Sequence, residues 1–250
     1  DKGSFKSPIK IEIKDKSACP AFAGRYFRNV KNVESPGWLK NKVKSIGLRP
    51  ISALVDITNF VMFDLNRPLH VYDADKINGK IIVRSAKDGE SFLALDEKKY
   101  ELKNGMCAIT DETKVLGLGG IMGGESTGCG LDTKNVFLES ALFDKVNTAK
   151  TGRNLSILSD ARYRFERGVD PNISKYALKR AVLMIKEVCK DSIVSSDLID
   201  LYPKPIEDVQ IILGFDKIKK ISSSDNLQTI VIPSMRTPKN IIEKAATKSG

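Results

Sequence analysis

Apolar and polar positions alternate at the start of the chain. Ile9, Ile11 and Ile13 share one side of an extended segment and residues 23–33 continue in the same style, so the chain is predicted to open in strands. The period then lengthens. In SPGWLKNKVKSIG, Trp38, Leu39, Val43 and Ile46 fall on one helical face, with Ser35 as N-cap, Pro36 in the first turn and Gly47 as the stop. RPISALVDITNFVMF repeats the pattern, with Ile51, Leu54, Val55, Thr58, Val61 and Met62 on one stripe, and predicts a second helix that is mostly buried.

From residue 80 to 118 the texture changes to short apolar runs, at 81–83, 92–95, 107–110 and 115–118. They are separated by Asp88-Gly89, Asn104-Gly105 and Asp111-Glu112, which reads as a strand meander with tight turns. NVFLESALF looks like a buried strand, Asp144 is placed to cap a helix through Lys150, and Asp170-Pro171 opens a long helix to about Val188. These elements predict an α+β fold with a mixed or antiparallel sheet core and peripheral helices. Pro203 and Pro205 mark a boundary, beyond which a small basic segment ends in a helix near 240–248.

Charge refines this picture. The chain carries +10 overall over 250 residues, but residues 1–50 hold 12 Lys/Arg against 4 Asp/Glu, residues 51–150 hold 12 against 15, and the last hundred supply +5. Basic flanks around a slightly acidic middle suit a module that grips a polyanion, and equally suit a lysine-rich solvated surface. Four cysteines without a C-x-x-C pair read as reduced thiols in a cytoplasmic protein. No apolar run is long enough to span a membrane, and the absence of an initial Met suggests a piece of a longer chain. His70 is the single histidine, which excludes zinc sites built on two or three imidazoles and leaves position 70 as the sole centre for histidine chemistry.

Three further stretches carry candidate chemistry. GLGGIMGGESTGCG has seven glycines in fourteen residues, yet it lacks the Gly-Lys-Ser/Thr of a Walker loop and its G-x-G-x-x-G spacing fails at Met122. It is either a main-chain wall lining a small ligand pocket or a tight structural loop. Glu139 falls where alternation turns a carboxylate inward, so it needs an arginine partner or a ligand. SDARYRFERGVDP crowds Arg162, Arg164 and Arg167 among acids, as an ion-pair network or a surface for RNA phosphates.

Taken together, GLRPISALVDITNFVMFDLNRPLHVYDADKI, GLGGIMGGESTG, VFLESALFD and SDARYRFERGVDP resemble, in order and spacing, the editing domain of the bacterial phenylalanyl-tRNA synthetase β subunit. The resemblance spans roughly residues 19–205, and it implies that 1–18 are the tail of a preceding domain and 206–250 part of a small helical or winged domain. It further implies a hydrolytic site that removes tyrosine wrongly attached to the phenylalanine tRNA. Carried over, His70, Arg49 and Asn59 would act at the ester, and Glu139, Thr58, Gly119, Gly120, Ser159 and Ala161 would form the amino-acid pocket. Family members commonly have Thr where this chain has Ser159, which keeps the hydroxyl but alters the packing.

The partners implied are the acceptor end of that tRNA and an α subunit, in a heterotetramer of two α and two β chains. ATP and Mg2+ would serve the parent ligase in its α subunit, with no cofactor or metal site in this region. A hydrophobic synthetic pocket rejects an added hydroxyl by only about a hundredfold, which is the physical reason for a second site. A non-catalytic RNA-binding or scaffolding module is the competing reading, and deacylation of tyrosyl-tRNA separates the two.

Overall fold

The computed structural model describes residue 3 and residues 5–205; the segment 206–250, with its expected terminal helix, lies outside the described residues. In chain order the elements are β1 (Ile11–Ile13), β2 (Ala21–Arg28), α1 (Gly37–Ser45), α2 (Ala53–Leu65), β3 (His70–Asp73), β4 (Ile81–Ser85), β5 (Ser91–Leu93), β6 (Lys99–Glu101), β7 (Cys107–Thr110), β8 (Val115–Leu118) and β9 (Met122–Gly123). There follow β10 (Val136–Leu142), α3 (Lys145–Asn154), α4 (Asp160–Phe165), α5 (Ser174–Val188), β11 (Ile193–Val194) and β12 (Ile199–Leu201). The class is α+β, as the patterning predicts.

Strand β10 is buried along its whole length because it is central in every direction. Antiparallel β2 and β3 flank it in a sheet ordered β11-β2-β10-β3, with β12 also paired to β2. Its two faces meet different layers. Val136 and Leu138 join Ala23, Phe27 and Val71 beneath helices α1, α2 and α5, whose Leu39, Val43, Leu54, Ile57, Val61, Leu178 and Ile185 complete that core. Phe137 and Ala141 join Phe22, Tyr26 and Tyr72 against Ile81, Val83, Ile109 and Leu116 of a second sheet. That sheet runs β1-β4-β7-β8-β9 and is antiparallel except for the β1–β4 pair, so the layers are helices, sheet, sheet. The described part of the opening stretch belongs to the same packing: Ile9 is buried in the inter-sheet core and β1 is an edge strand.

Local chemistry explains most boundaries. Asp144 caps α3 by accepting from the Asn147 N–H at 2.7 Å, and the helix runs four residues past the expected end. Asp170 accepts from the Asn172 N–H at 2.8 Å and opens a 3-10 turn at 171–173 that feeds α5. Gly47 stops α1 at φ +82°, and Asn66 ends α2 in the left-handed region at φ +50°. Two expectations at these helices are corrected. Ser35 does not cap α1: its Oγ donates to the Asp56 carboxylate at 2.5 Å, and Asp56 also accepts the Ile51 N–H at 2.9 Å ahead of α2. Ile51 consequently lies before the helix, two-thirds exposed, while Ile57 takes a buried place on the stripe.

Candidate active site

Between the two sheets, where β3 and β10 face β7 and β8, lies a cavity of about 80 Å³ whose mouth brings the empty space to about 430 Å³. His70, Tyr72 and Glu139 of the central sheet line one side. Ile109, Gly117 and Leu118 of the second sheet, continuing through Gly120, Ile121, Met122 and Gly123, line the other, and Phe143, Ala161 and Phe165 close the end. The polar groups are brought together by register. His70 is the cross-strand partner of Glu139, and Tyr72 follows two residues after His70 on the same face.

Glu139 is 4% exposed, so its carboxylate meets the alternative posed by its sequence, a partner or a ligand, in an unexpected way. Tyr72 supplies a phenol from within the chain: its OH donates to Glu139 Oε2 at 2.6 Å. Oε1 accepts no hydrogen bond among the described residues. Behind this pair lies Arg67, fully buried. Its Nη2 donates to the Ala141 carbonyl at 2.6 Å, Nη1 to the Asp170 carbonyl at 3.2 Å and Nε to Ser140 Oγ at 3.3 Å. It therefore acts on Glu139 as a positive charge through space and not as a bonded partner. Burial pushes the Glu139 carboxyl up to about 7, against the pull of the Tyr72 hydrogen bond and the Arg67 charge.

His70 keeps some exposed surface, but its Nε2 is buried and has no hydrogen-bond partner. An orphaned buried ring nitrogen costs about 1–3 kcal/mol, so it is a place where a ligand or water is favoured. The imidazole stands edge-on to the Tyr72 ring, centroids 4.3 Å apart at 80°. On its other side a Cβ at position 123 would come within 2.3 Å of His70 Cε1, so only glycine leaves room for the ring. Burial lowers the imidazole to about 4, below the Glu139 carboxyl, so between these values the proton resides on the acid and the base is neutral.

The sequence-predicted residues divide into two groups. His70, Glu139, Gly120 and Ala161 meet at the cavity, with Gly120 at φ +73° against Phe143. The others lie apart from its lining. Gly119 is packed into the core, where an added Cβ would strike Phe143 and Cys107. Ser159 caps α4: its Oγ donates to the Ile121 carbonyl at 2.6 Å and accepts from the Arg162 N–H at 3.0 Å, and it faces a neighbouring surface groove. Thr58 donates to the Val55 carbonyl at 2.8 Å within α2, the helix that packs on the opposite face of the central sheet. Asn59 shares that helix, and Arg49 is exposed in the linker before it. The arginine cluster is an ion-pair network, with Arg162 and Arg167 on Glu166 at 3.0 and 2.8 Å and Arg164 on Asp160 at 3.0 Å.

Tyr72 and Arg67 were not anticipated, whereas Gly123 falls within the glycine stretch read as a pocket wall. A signal existed for Tyr72, since two-residue spacing from His70 on a strand puts both on one face. None existed for Arg67, because arginine is rarely buried whole. Among the described residues, no group of three or more His, Cys, Asp or Glu side chains is arranged to hold a metal, the four cysteines are free thiols, and no helix is long and apolar enough to cross a membrane.

The domain is thus an α+β unit with a small cleft between two sheets, holding an unpartnered imidazole nitrogen beside a half-partnered acid. The model of the B3/4 domain family matches residues 18–190. The chain is 53% identical over 188 residues to the phenylalanine–tRNA ligase beta subunit of Bradyrhizobium diazoefficiens, covering 75% of this chain and 23% of that one. It is 45% identical over 248 residues to the same subunit of Ruegeria pomeroyi, covering 96% of this chain and 31% of the relative. In fold it is similar to a crystallised N-terminal fragment of the phenylalanyl-tRNA synthetase beta-subunit from Pyrococcus horikoshii. The TM-score is 0.51 at 16% identity, over 88% of this chain and 61% of that one. The chain belongs to the B3/4 domain family, as part of a phenylalanine–tRNA ligase beta subunit. It spans about a quarter to a third of the length of these curated relatives.

Proposed function

We propose that this region hydrolyses tyrosine from mischarged phenylalanine tRNA, within an enzyme that attaches phenylalanine to that tRNA. The observation that carries this reading is a Glu139 carboxylate with one oxygen still unpaired beside an unpartnered His70 Nε2 on the same wall of one cavity. In the reaction, water attacks the carbonyl carbon of the tyrosyl ester, the bond to the terminal ribose oxygen breaks, and that oxygen takes the proton. Glu139 Oε1 accepts the tyrosine phenol, whereas phenylalanine leaves it desolvated and unpaired, at a cost of about 1–3 kcal/mol. Neutral His70 orients the water or the ester. An aminoacyl ester is already activated, so positioning supplies much of the rate without an obligatory base.

Arg49, exposed ahead of α2, is assigned to the acceptor end of the tRNA, while Asn59, on the helix that packs against the other face of the central sheet, is given no role at the ester. Thr58, Gly119 and Ser159 support the pocket from behind. The wider assembly belongs to this reading: a cytoplasmic heterotetramer with an α subunit that uses ATP and Mg2+. Tyrosyl- and phenylalanyl-tRNA deacylation by the chain tests it. His70→Ala is expected to slow tyrosyl release without abolishing it, and Glu139→Ala to erode the preference for tyrosine over phenylalanine. A wild-type chain that releases neither amino acid refutes the reading and favours a scaffold.

A further inference from the structure

We propose that Tyr72 is the positioning residue of this site, a built-in phenol that holds one oxygen of Glu139 and backs the His70 ring, so that an incoming phenol meets the other oxygen alone. The inference rests on the reading of the cavity as an editing pocket. Three contacts carry it. The Tyr72 hydroxyl donates to Glu139 Oε2 at 2.6 Å. The Tyr72 ring stands 4.3 Å from the His70 imidazole at 80°. Phe137 supports the Tyr72 ring from within the core at 6.4 Å. Tyr72 is 1% exposed, so it is fixed by packing before any ligand arrives, and it touches both polar groups of the pocket.

The geometry assigns the two carboxylate oxygens different work. An acid free to rotate could offer either oxygen, and could turn away from a ligand without a phenol. With Oε2 held by a neighbouring strand, the carboxylate is anchored at the cavity wall, and Oε1 is the oxygen left for a ligand there. A second phenol donating there would reproduce the bond that Tyr72 already makes. The site thus selects for a hydroxyl donor at one point, and an aromatic ring lacking it leaves that oxygen desolvated.

The test is Tyr72→Phe, which keeps the ring and removes the hydroxyl. Three quantities are read on the 250-residue chain: the Glu139 titration by carbon NMR of labelled glutamate, and kcat/KM for the tyrosyl and the phenylalanyl ester of the tRNA. Losing a hydrogen bond to a charged acceptor is expected to move the Glu139 titration upward and to lower kcat/KM for the tyrosyl ester about tenfold. The phenylalanyl rate should stay where it is, a split that mere loss of packing would not produce. Should Tyr72→Phe fail to fold, 3-fluorotyrosine at position 72 gives the opposite sign, since a stronger donor moves the Glu139 titration downward. If neither substitution moves the titration, or the tyrosyl preference survives Tyr72→Phe, the positioning role is overturned while the editing reading stands. If the titration moves as expected but the wild-type chain hydrolyses neither ester, the editing reading fails and the positioning role falls with it, leaving only the Tyr72–Glu139 hydrogen bond.

Discussion

Replacing Glu139 by Gln removes one titrating group from the cavity and leaves its shape, and the consequence for stability can be worked from the two polar residues together. Glu139 titrates at about 7 in the fold against an ordinary value of 4.5. At 1.36 kcal/mol per pH unit, that difference is about 3 kcal/mol. The sign follows from the raised value: the contribution is fully present below pH 4.5 and is lost as pH rises through 7. His70 runs the other way. Its imidazole is lowered from 6.5 to about 4, so its contribution, again about 3 kcal/mol, is present above pH 6.5 and lost as pH falls through 4.

The two windows overlap and the two slopes oppose, so in the wild-type chain they nearly cancel. Glu139→Gln should expose the histidine slope: relative to wild type, the variant gains about 3 kcal/mol between pH 4.5 and pH 7.5. His70→Gln should show the reverse, losing stability relative to wild type as pH rises over the same interval. Denaturant unfolding at four pH values, read as differences from wild type, checks both, because the remaining carboxylates drop out of the difference. Difference curves that stay level for both variants would refute the claim that these groups are buried with inverted proton affinities.

Gly123→Ala places a Cβ 2.3 Å from His70 Cε1 and must displace the imidazole. Tyrosyl-ester hydrolysis is expected to fall on the order of tenfold to a hundredfold, with unfolding showing a loss of roughly 1–3 kcal/mol. Arg67→Met removes a buried guanidinium with three oxygen acceptors and the positive charge that restrains Glu139. Denaturant unfolding at neutral pH should show a loss of roughly 3–5 kcal/mol, and the Glu139 titration should rise. Arg49→Ala, at an exposed linker position, should raise KM for the charged tRNA and leave kcat and stability unchanged, as steady-state kinetics and thermal unfolding would show.

The parts of this fold that were legible in the sequence are those where one strong local rule acts alone. Asp144 and Asp170 each precede a helix with a short acceptor side chain, and both accept the expected backbone N–H. The mostly apolar stretch Val136–Leu142 reads as a buried strand, and the inward acid follows from its place in it. Where two rules compete, tertiary contacts decide. Ser35 has the composition of a cap, but a buried aspartate 21 residues on claims its hydroxyl at 2.5 Å. Strand β6, with the sequence Lys-Tyr-Glu, carries no apolar alternation and exists because it pairs with β5. Helix α4 spans six residues, too few for a period to show, and its cap at Ser159 emerges only in the structure.

The site was legible to the same degree. His70, Glu139 and the glycine wall carry sequence signals and meet at the cavity. The phenol that completes Glu139 does not announce itself, because a tyrosine on a strand is by default a packing residue. Thr58 lies beyond the cavity lining because β3 and β10 turn alternate side chains to opposite faces, and α2 covers the face that carries Val71 and Leu138.

The central claim is that Glu139 Oε1 reads a phenol inside this cavity, and a crystal structure of the chain with bound tyrosine addresses it most directly. The account predicts the tyrosine ring between Gly120 and Phe165, its hydroxyl about 2.7 Å from Glu139 Oε1, and its carboxyl end turned toward His70. A phenol pointing to solvent, or phenylalanine seated equally well in the same place, would contradict it.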